Sequence, residues 1–173
     1  HNLHKPEDTI IALANSLKAL WHIDISTCPF SSKLDKRLLD AKYNMDHNLI
    51  DVEDFNEDTL GENGFSDVND LYNFLKTHKP PEDLVFSHGD FCLPNIFIKE
   101  KQPVGFLDLG KAGIADRWQD IALCVRSLKY NICDFLGLDN QTFLQYKQLF
   151  YTELGICEDA EKLRYYILLD ELF

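Results

Sequence analysis

The chain has 173 residues, with 17 Lys and Arg against 29 Asp and Glu, giving a formal net charge of −12. A domain of ~150 residues buries roughly 70% of the surface that its unfolded chain exposes, and 12 Phe, 7 Tyr and 2 Trp supply a core, so general disorder is excluded. The acid excess argues against a nucleic-acid partner, whose phosphates need Lys and Arg for counterion release; it suits a cationic partner, or solubility alone.

The first helix opens at Pro6, whose missing N–H costs nothing in a first turn, with Glu7 and Asp8 at the positive end of the dipole. Ile10, Leu13, Ala14, Leu17, Leu20 and Trp21 then share one face. Leu34, Leu38, Ala41 and Met45 mark a second amphipathic helix. Residues 49–66 crowd Asp51, Glu53, Asp54, Glu57, Asp58 and Glu62 into what reads as an acidic loop. Val68, Leu71 and Leu75 make a short helix that Pro80-Pro81 terminates. Three strand-like runs follow: Leu84-Val85-Phe86, Ile96-Phe97-Ile98 and Val104-Gly105-Phe106-Leu107. The last two form a hairpin around Glu100-Lys101-Gln102. Beyond Asp116 the pattern is helical, in stripes from Trp118 to Leu128, from Phe143 to Leu154 and from Leu163 to Leu168. The fold class is therefore α+β, mostly helical, with a small antiparallel β element near the middle. No apolar run approaches the ~20 residues that cross a bilayer, so no membrane partner is expected.

The β element carries the chemistry. His88-Gly89-Asp90 follows the first strand, Asn95 opens the second, and Asp108-Leu109-Gly110 follows the third. Four residues separate Asp90 from Asn95, as in the D-x-x-x-x-N of a kinase catalytic loop, and Asp-Leu-Gly has the form of the D-F-G metal-binding segment. Hard Mg²⁺ prefers oxygen ligands; Asn95 and Asp108 offer an amide carbonyl and a carboxylate, and Asp90 is placed to accept the proton of an attacking hydroxyl. Any one of the three alone would read as a turn former or helix cap, and His88 reads as an orienting histidine. Two other chemistries fit less well. Cys92 lies near His88 in sequence, which does not establish a Cys–His pair, and six scattered His with five Cys and no C-x-x-C give no zinc spacing. The odd, unpaired cysteines and the polar start His1-Asn2-Leu3-His4-Lys5-Pro6 fit a reduced, cytoplasmic protein.

The runs His88–Ile96, Gly105–Gly110 and Ala115–Ala122, with the ending Leu168–Phe173, resemble the aminoglycoside 3′-phosphotransferases. The resemblance implies a kinase-like fold and ATP-dependent phosphoryl transfer to the 3′-hydroxyl of an aminoglycoside, hence antibiotic resistance. It also implies Asp90 as catalytic residue, Asn95 and Asp108 as Mg²⁺ ligands, and Phe97 and Leu107 as the apolar floor under the adenine. The polycationic drug would be held by Glu171, the terminal carboxylate of Phe173 and acids of the 51–62 loop such as Glu57 and Asp58, with Arg126 helping to arrange the acceptor or phosphate site. That loop reads equally as a solvated surface.

The chain departs from the family in three places. Lys111 stands where Arg is usual, and Lys lacks Arg's planar fork. Tyr130-Asn131 stand where members often carry two acids, which bears on the substrate range. Nothing resembles a Gly-rich phosphate loop, its strand lysine or a Walker A sequence, parts that precede the catalytic loop in a separate lobe. The expectation is thus a single C-terminal lobe over 1–173, acceptor-binding and catalytic, without its nucleotide-gripping lobe. The other reading is a stand-alone aminoglycoside-binding module or inactive remnant.

Overall fold

A computed structural model describes residues 6–56, 58–62 and 64–173. Six α-helices and four short strands occur among them. In order these are α1 (Pro6–Trp21), α2 (Leu34–Asp46), α3 (Val68–Thr77), β1 (Leu84–Ser87), β2 (Ile96–Lys99), β3 (Gln102–Phe106), β4 (Gly113–Asp116), α4 (Arg117–Lys129), α5 (Asn140–Leu154) and α6 (Ala160–Asp170). The helical stripes read from the sequence face the core: Leu13, Leu17, Leu71, Leu75, Ile121 and Ala122 are fully buried. Helix α1 packs along α5, and α4 along α6. Leu144 is an exception; it is exposed although it sits beside buried Phe143.

Aspartates start the later helices. The side chains of Asp67, Asp116, Asp139 and Asp159 accept backbone N–H bonds at the first turns of α3, α4, α5 and α6, each contributing about 1 kcal/mol. Helix α3 stops at Thr77, ahead of the two prolines. Helix α4 continues into a π-helical turn, Tyr130–Phe135.

The β structure differs from the three-strand reading. There are two antiparallel pairs, β1 with β4 and β2 with β3. The fourth strand, Gly-Ile-Ala-Asp, is too short and too weakly alternating to stand out in sequence. It pairs Val85 with Ala115 and Ser87 with Gly113. On its other side Ile114 exchanges backbone bonds with Phe30 and Ser32. Gly113 allows this approach, since a Cβ there would lie 2.9 Å from the Phe30 backbone. The β2–β3 turn is tighter than expected: Lys99 pairs with Gln102, and Glu100 and Lys101 both take positive φ, as a two-residue hairpin turn requires. Lys101 is held to α1 by an ion pair with Asp8 (2.8 Å) and by Asn15 Nδ2 donating to its carbonyl (3.1 Å).

Candidate active site

The β1–β4 ladder and α4 together fix the loop that carries Asp90. Asp120, fully buried on the first turn of α4, accepts the backbone N–H of His88 (2.8 Å) on one oxygen and that of Gly89 (2.9 Å) on the other. Burial raises the Asp120 carboxyl to about 6, against the lowering effect of these bonds. The chain turns at Gly89 with φ +86°, and a Cβ there would lie 2.2 Å from the Lys111 carbonyl oxygen. Glycine therefore lets the Asp90 loop lie directly on the segment that follows Asp108. That carbonyl also accepts the Ser32 hydroxyl at 2.7 Å.

His88 is buried with its ring edge-on to Phe91 and near Phe106. Its Nδ1 accepts the Asp90 N–H (3.3 Å), and Nε2 has no hydrogen-bond partner among the described residues. Desolvation lowers its pKa against the charges of Asp90 and Asp108 and the nearby Leu107 carbonyl. A neutral ring that orients the loop fits all of this.

Asp90 and Asn95 are in direct contact. The Asn95 amide donates from Nδ2 to the Asp90 carboxylate (3.0 Å), the Asp90 carbonyl (3.1 Å) and Cys92 Sγ (3.2 Å). These bonds occupy the amide nitrogen and leave Oδ1 as the atom able to accept. Cys92 has its thiol pushed up to about 11, first by burial and then by Asp90, which removes the thiolate that nucleophilic chemistry would need at neutral pH. The third residue arrives through the backbone: the Leu107 N–H donates to the Asn95 carbonyl at 2.9 Å. Asp108 follows in a left-handed conformation (φ 54°, ψ 49°), exposed to solvent. A non-glycine residue in that region is held there at a cost of about 1–3 kcal/mol, a pattern typical of functional sites.

An amide oxygen beside the Asp90 carboxylate, with Asp108 following the residue bonded to the Asn95 carbonyl, offers the kind of donor that Mg²⁺ takes, since Mg²⁺ uses few protein ligands and completes its shell with water and phosphate. No cluster of three or more His, Cys, Asp or Glu able to hold a metal occurs among the described residues, so a closed protein cage of the zinc type is not what these residues form. Phe97 and Leu107 are 48% and 51% exposed. Phe97 pairs with Gly105 in the ladder, so Leu107 lies diagonally across on the same face. A Cβ at Gly105 would meet only the Phe97 Cβ, at 3.9 Å.

Glu171 and Phe173 line a second feature, a cleft of about 320 Å³, with Asp51, Phe55, Asn56, Arg126 and Asp170. Glu171 is nearly buried and accepts from the Asn56 backbone (3.3 Å) and side chain. Burial raises its pKa, with Asn56 and Arg126 opposing. Arg126 pairs with Asp170. Asp58 does not face this cleft; it lines an adjoining one of about 390 Å³ that shares Asn56 and Arg126. Glu57 lies outside the described residues. Lys111 sits with its ammonium 5.2 Å from the Phe173 ring, joining the segment after Asp108 to this wall.

Sequence reasoning missed three contributors. Asp120 and Arg37, a buried residue of α2 whose guanidinium lies over the Phe173 ring, both fall on otherwise apolar helical stripes, a charged residue where the period demands a core one, which is the available signal. Asn56 carried none.

A sequence profile described as the phosphotransferase enzyme family matches residues 2–148. The chain belongs to that family. Relatives of this family member include aminoglycoside 3′-phosphotransferases of Enterococcus faecalis, 47% identical over 170 residues, and Staphylococcus aureus, 46% identical. Each match covers 97% of the chain and 60% of the relative. Among solved structures, an aminoglycoside 3′-phosphotransferase of type VIII superposes with a TM-score of 0.81 at 28% identity, covering 98% of this chain and 62% of that one. A Streptomyces rimosus aminoglycoside phosphotransferase, APH(3″)-Id, in complex with ADP and streptomycin, superposes at 0.79 with 24% identity, over 94% of this chain and 61% of that one. The fold is thus kinase-like, matching a C-terminal lobe. Among the described residues, no helix is long and apolar enough to cross a membrane.

Proposed function

We propose that the chain is the acceptor-binding and catalytic lobe of an ATP-dependent aminoglycoside 3′-phosphotransferase acting in the cytoplasm. The observation that carries this reading is the contact of Asp90 with Asn95, with Asp108 tethered beside them through the Leu107–Asn95 backbone bond. Asp90 accepts the proton of the sugar 3′-hydroxyl and aims its oxygen. Asn95 Oδ1 and the Asp108 carboxylate would hold Mg²⁺, which would neutralise charge on the nucleotide phosphates. His88 and Asp120 keep the loop in register. Phe97 and Leu107 support the adenine. The drug's ammonium groups meet Glu171 and its neighbours in the cleft, and carboxylates facing one opening raise the local concentration of a polycation.

Because the chain spans 60% of the relatives it matches, the phosphate-gripping parts are assigned to a separate nucleotide lobe, and a second reading stands beside the first. An aminoglycoside-binding module without transfer activity rests on the Glu171 cleft alone, whose carboxylates attract a cation whether or not phosphate is transferred. Calorimetry with kanamycin, run beside ADP release from Mg-ATP in a protein that carries both lobes, separates them. Drug heat with ADP formation supports the transferase, drug heat alone supports the module, and no drug heat contradicts both.

A further inference from the structure

Helix α2 places one arginine where its stripe calls for an apolar residue. Arg37 follows Leu34 by three positions and precedes Ala41 by four, so it faces inward, and only 4% of its surface is exposed. Burying a guanidinium is costly unless it is well partnered, yet its partners are few. The guanidinium lies 3.7 Å above the centre of the Phe173 ring. Its Nη2 stands 3.6 Å from Asp170 Oδ1, a loose ion pair, and Nε has no hydrogen-bond partner among the described residues. The other oxygen of Asp170 is taken by Arg126. About two turns further along α2, Asn44 Nδ2 donates to the Leu172 carbonyl at 2.9 Å. Helix α2 thus grips residues 170–173 at two points, and Asp170, Glu171 and Phe173 among them line the Glu171 cleft.

We infer that Arg37 is a positioning residue of the acceptor site, holding the Phe173 ring and the Asp170 carboxylate as a single wall. The inference rests on the acceptor reading above and extends it to a residue that does not line the cleft. Arginine suits the task because its planar group stacks on a ring and reaches a carboxylate at the same time, which lysine cannot do. With Asp170 shared between Arg37 and Arg126, Glu171 is left as the carboxylate of this wall that only Asn56 engages by hydrogen bonds, and the drug's amine is directed there. Fixing the wall beforehand removes an ordering cost from binding. The effect of Arg37 therefore falls on acceptor affinity more than on the transfer step.

Four proteins test this: the wild type, Arg37→Met, Phe173→Leu and the double variant, with Arg37→Lys as a fifth. Kanamycin affinity is measured by calorimetry and each melting temperature is recorded. Arg37→Met is expected to weaken kanamycin binding about tenfold, the size of coupling between residues in contact, and Arg37→Lys is expected to restore only part of the loss. In the Phe173→Leu background the same change is expected to have little further effect. Unchanged affinity in Arg37→Met, or an equal loss with and without the Phe173 ring, overturns the inference. Absence of kanamycin binding in the wild type would instead overturn the acceptor reading. That result removes the acceptor-site role of Arg37 with it, whereas kanamycin binding by the wild type with unchanged affinity in Arg37→Met overturns the positioning claim alone.

Discussion

Two residues fix the geometry around Asp90, and each can be tested alone. Gly89→Ala places a methyl against the Lys111 carbonyl at a positive φ, so urea unfolding should show a loss of about 2–4 kcal/mol. Asp120 makes a prediction about pH. Its folded-state value of about 6 lies above the ordinary 3.8, so the folded chain holds that proton more tightly than the unfolded one. Stability from this group is present below about pH 4 and is lost as pH rises towards 6, by roughly 3 kcal/mol. Asp120→Asn should erase that segment of the curve and, by turning an NH₂ towards two N–H donors, should also loosen the loop. Unfolding free energies of both proteins between pH 3.5 and about 7 check it; parallel curves would contradict the assignment. The candidate triad of Asp90, Asn95 and Asp108 could be proposed from sequence because phosphoryl-transfer chemistry restricts which residue types stand at such spacings. The residues that support them were less so: Asp120 shows in sequence only as a charge on an apolar stripe, and its bonds to the His88 and Gly89 N–H groups depend on three-dimensional placement.

At the scale of elements, helices were easier to read than strands. Stripes such as Ile10 to Leu20 repeat over several turns, whereas β4 has four residues, and its pairing to β1 depends on a contact across about thirty positions. Asp116 joins these scales. It closes β4, caps α4 through the Trp118 N–H, and inside the core accepts Lys162 Nζ (2.7 Å) and the Tyr166 hydroxyl (3.0 Å) from α6. Asp116→Ala would leave a buried ammonium without its carboxylate, and a loss of about 3–5 kcal/mol is expected by chemical denaturation. A loss under about 1 kcal/mol, the range of exposed pairs, would show that Lys162 finds another partner. The acidic 49–66 loop was legible only as composition. The structure divides it, with Asp51 facing the Glu171 cleft and Asp58 the adjoining one, a distinction no run of acids can announce.

For the whole molecule, the proposed function implies that the charge of −12 and the Glu171 cleft attract a polycation together. Screening length falls from roughly 30 Å at 0.01 M salt to 8 Å at 0.15 M, so kanamycin affinity should fall several-fold over that range. Glu171→Gln should lower the affinity and flatten the salt dependence; calorimetry at the two ionic strengths reads both. The central claim is that Asp90 serves the transfer step while the cleft holds the drug. Phosphokanamycin formation from Mg-ATP, followed by mass spectrometry in an enzyme with both lobes, tests it most directly in the wild type and in Asp90→Ala. The account predicts a fall of about a thousandfold or more in turnover, with kanamycin affinity and melting temperature nearly unchanged. Turnover within a few-fold of the wild type in Asp90→Ala would contradict it.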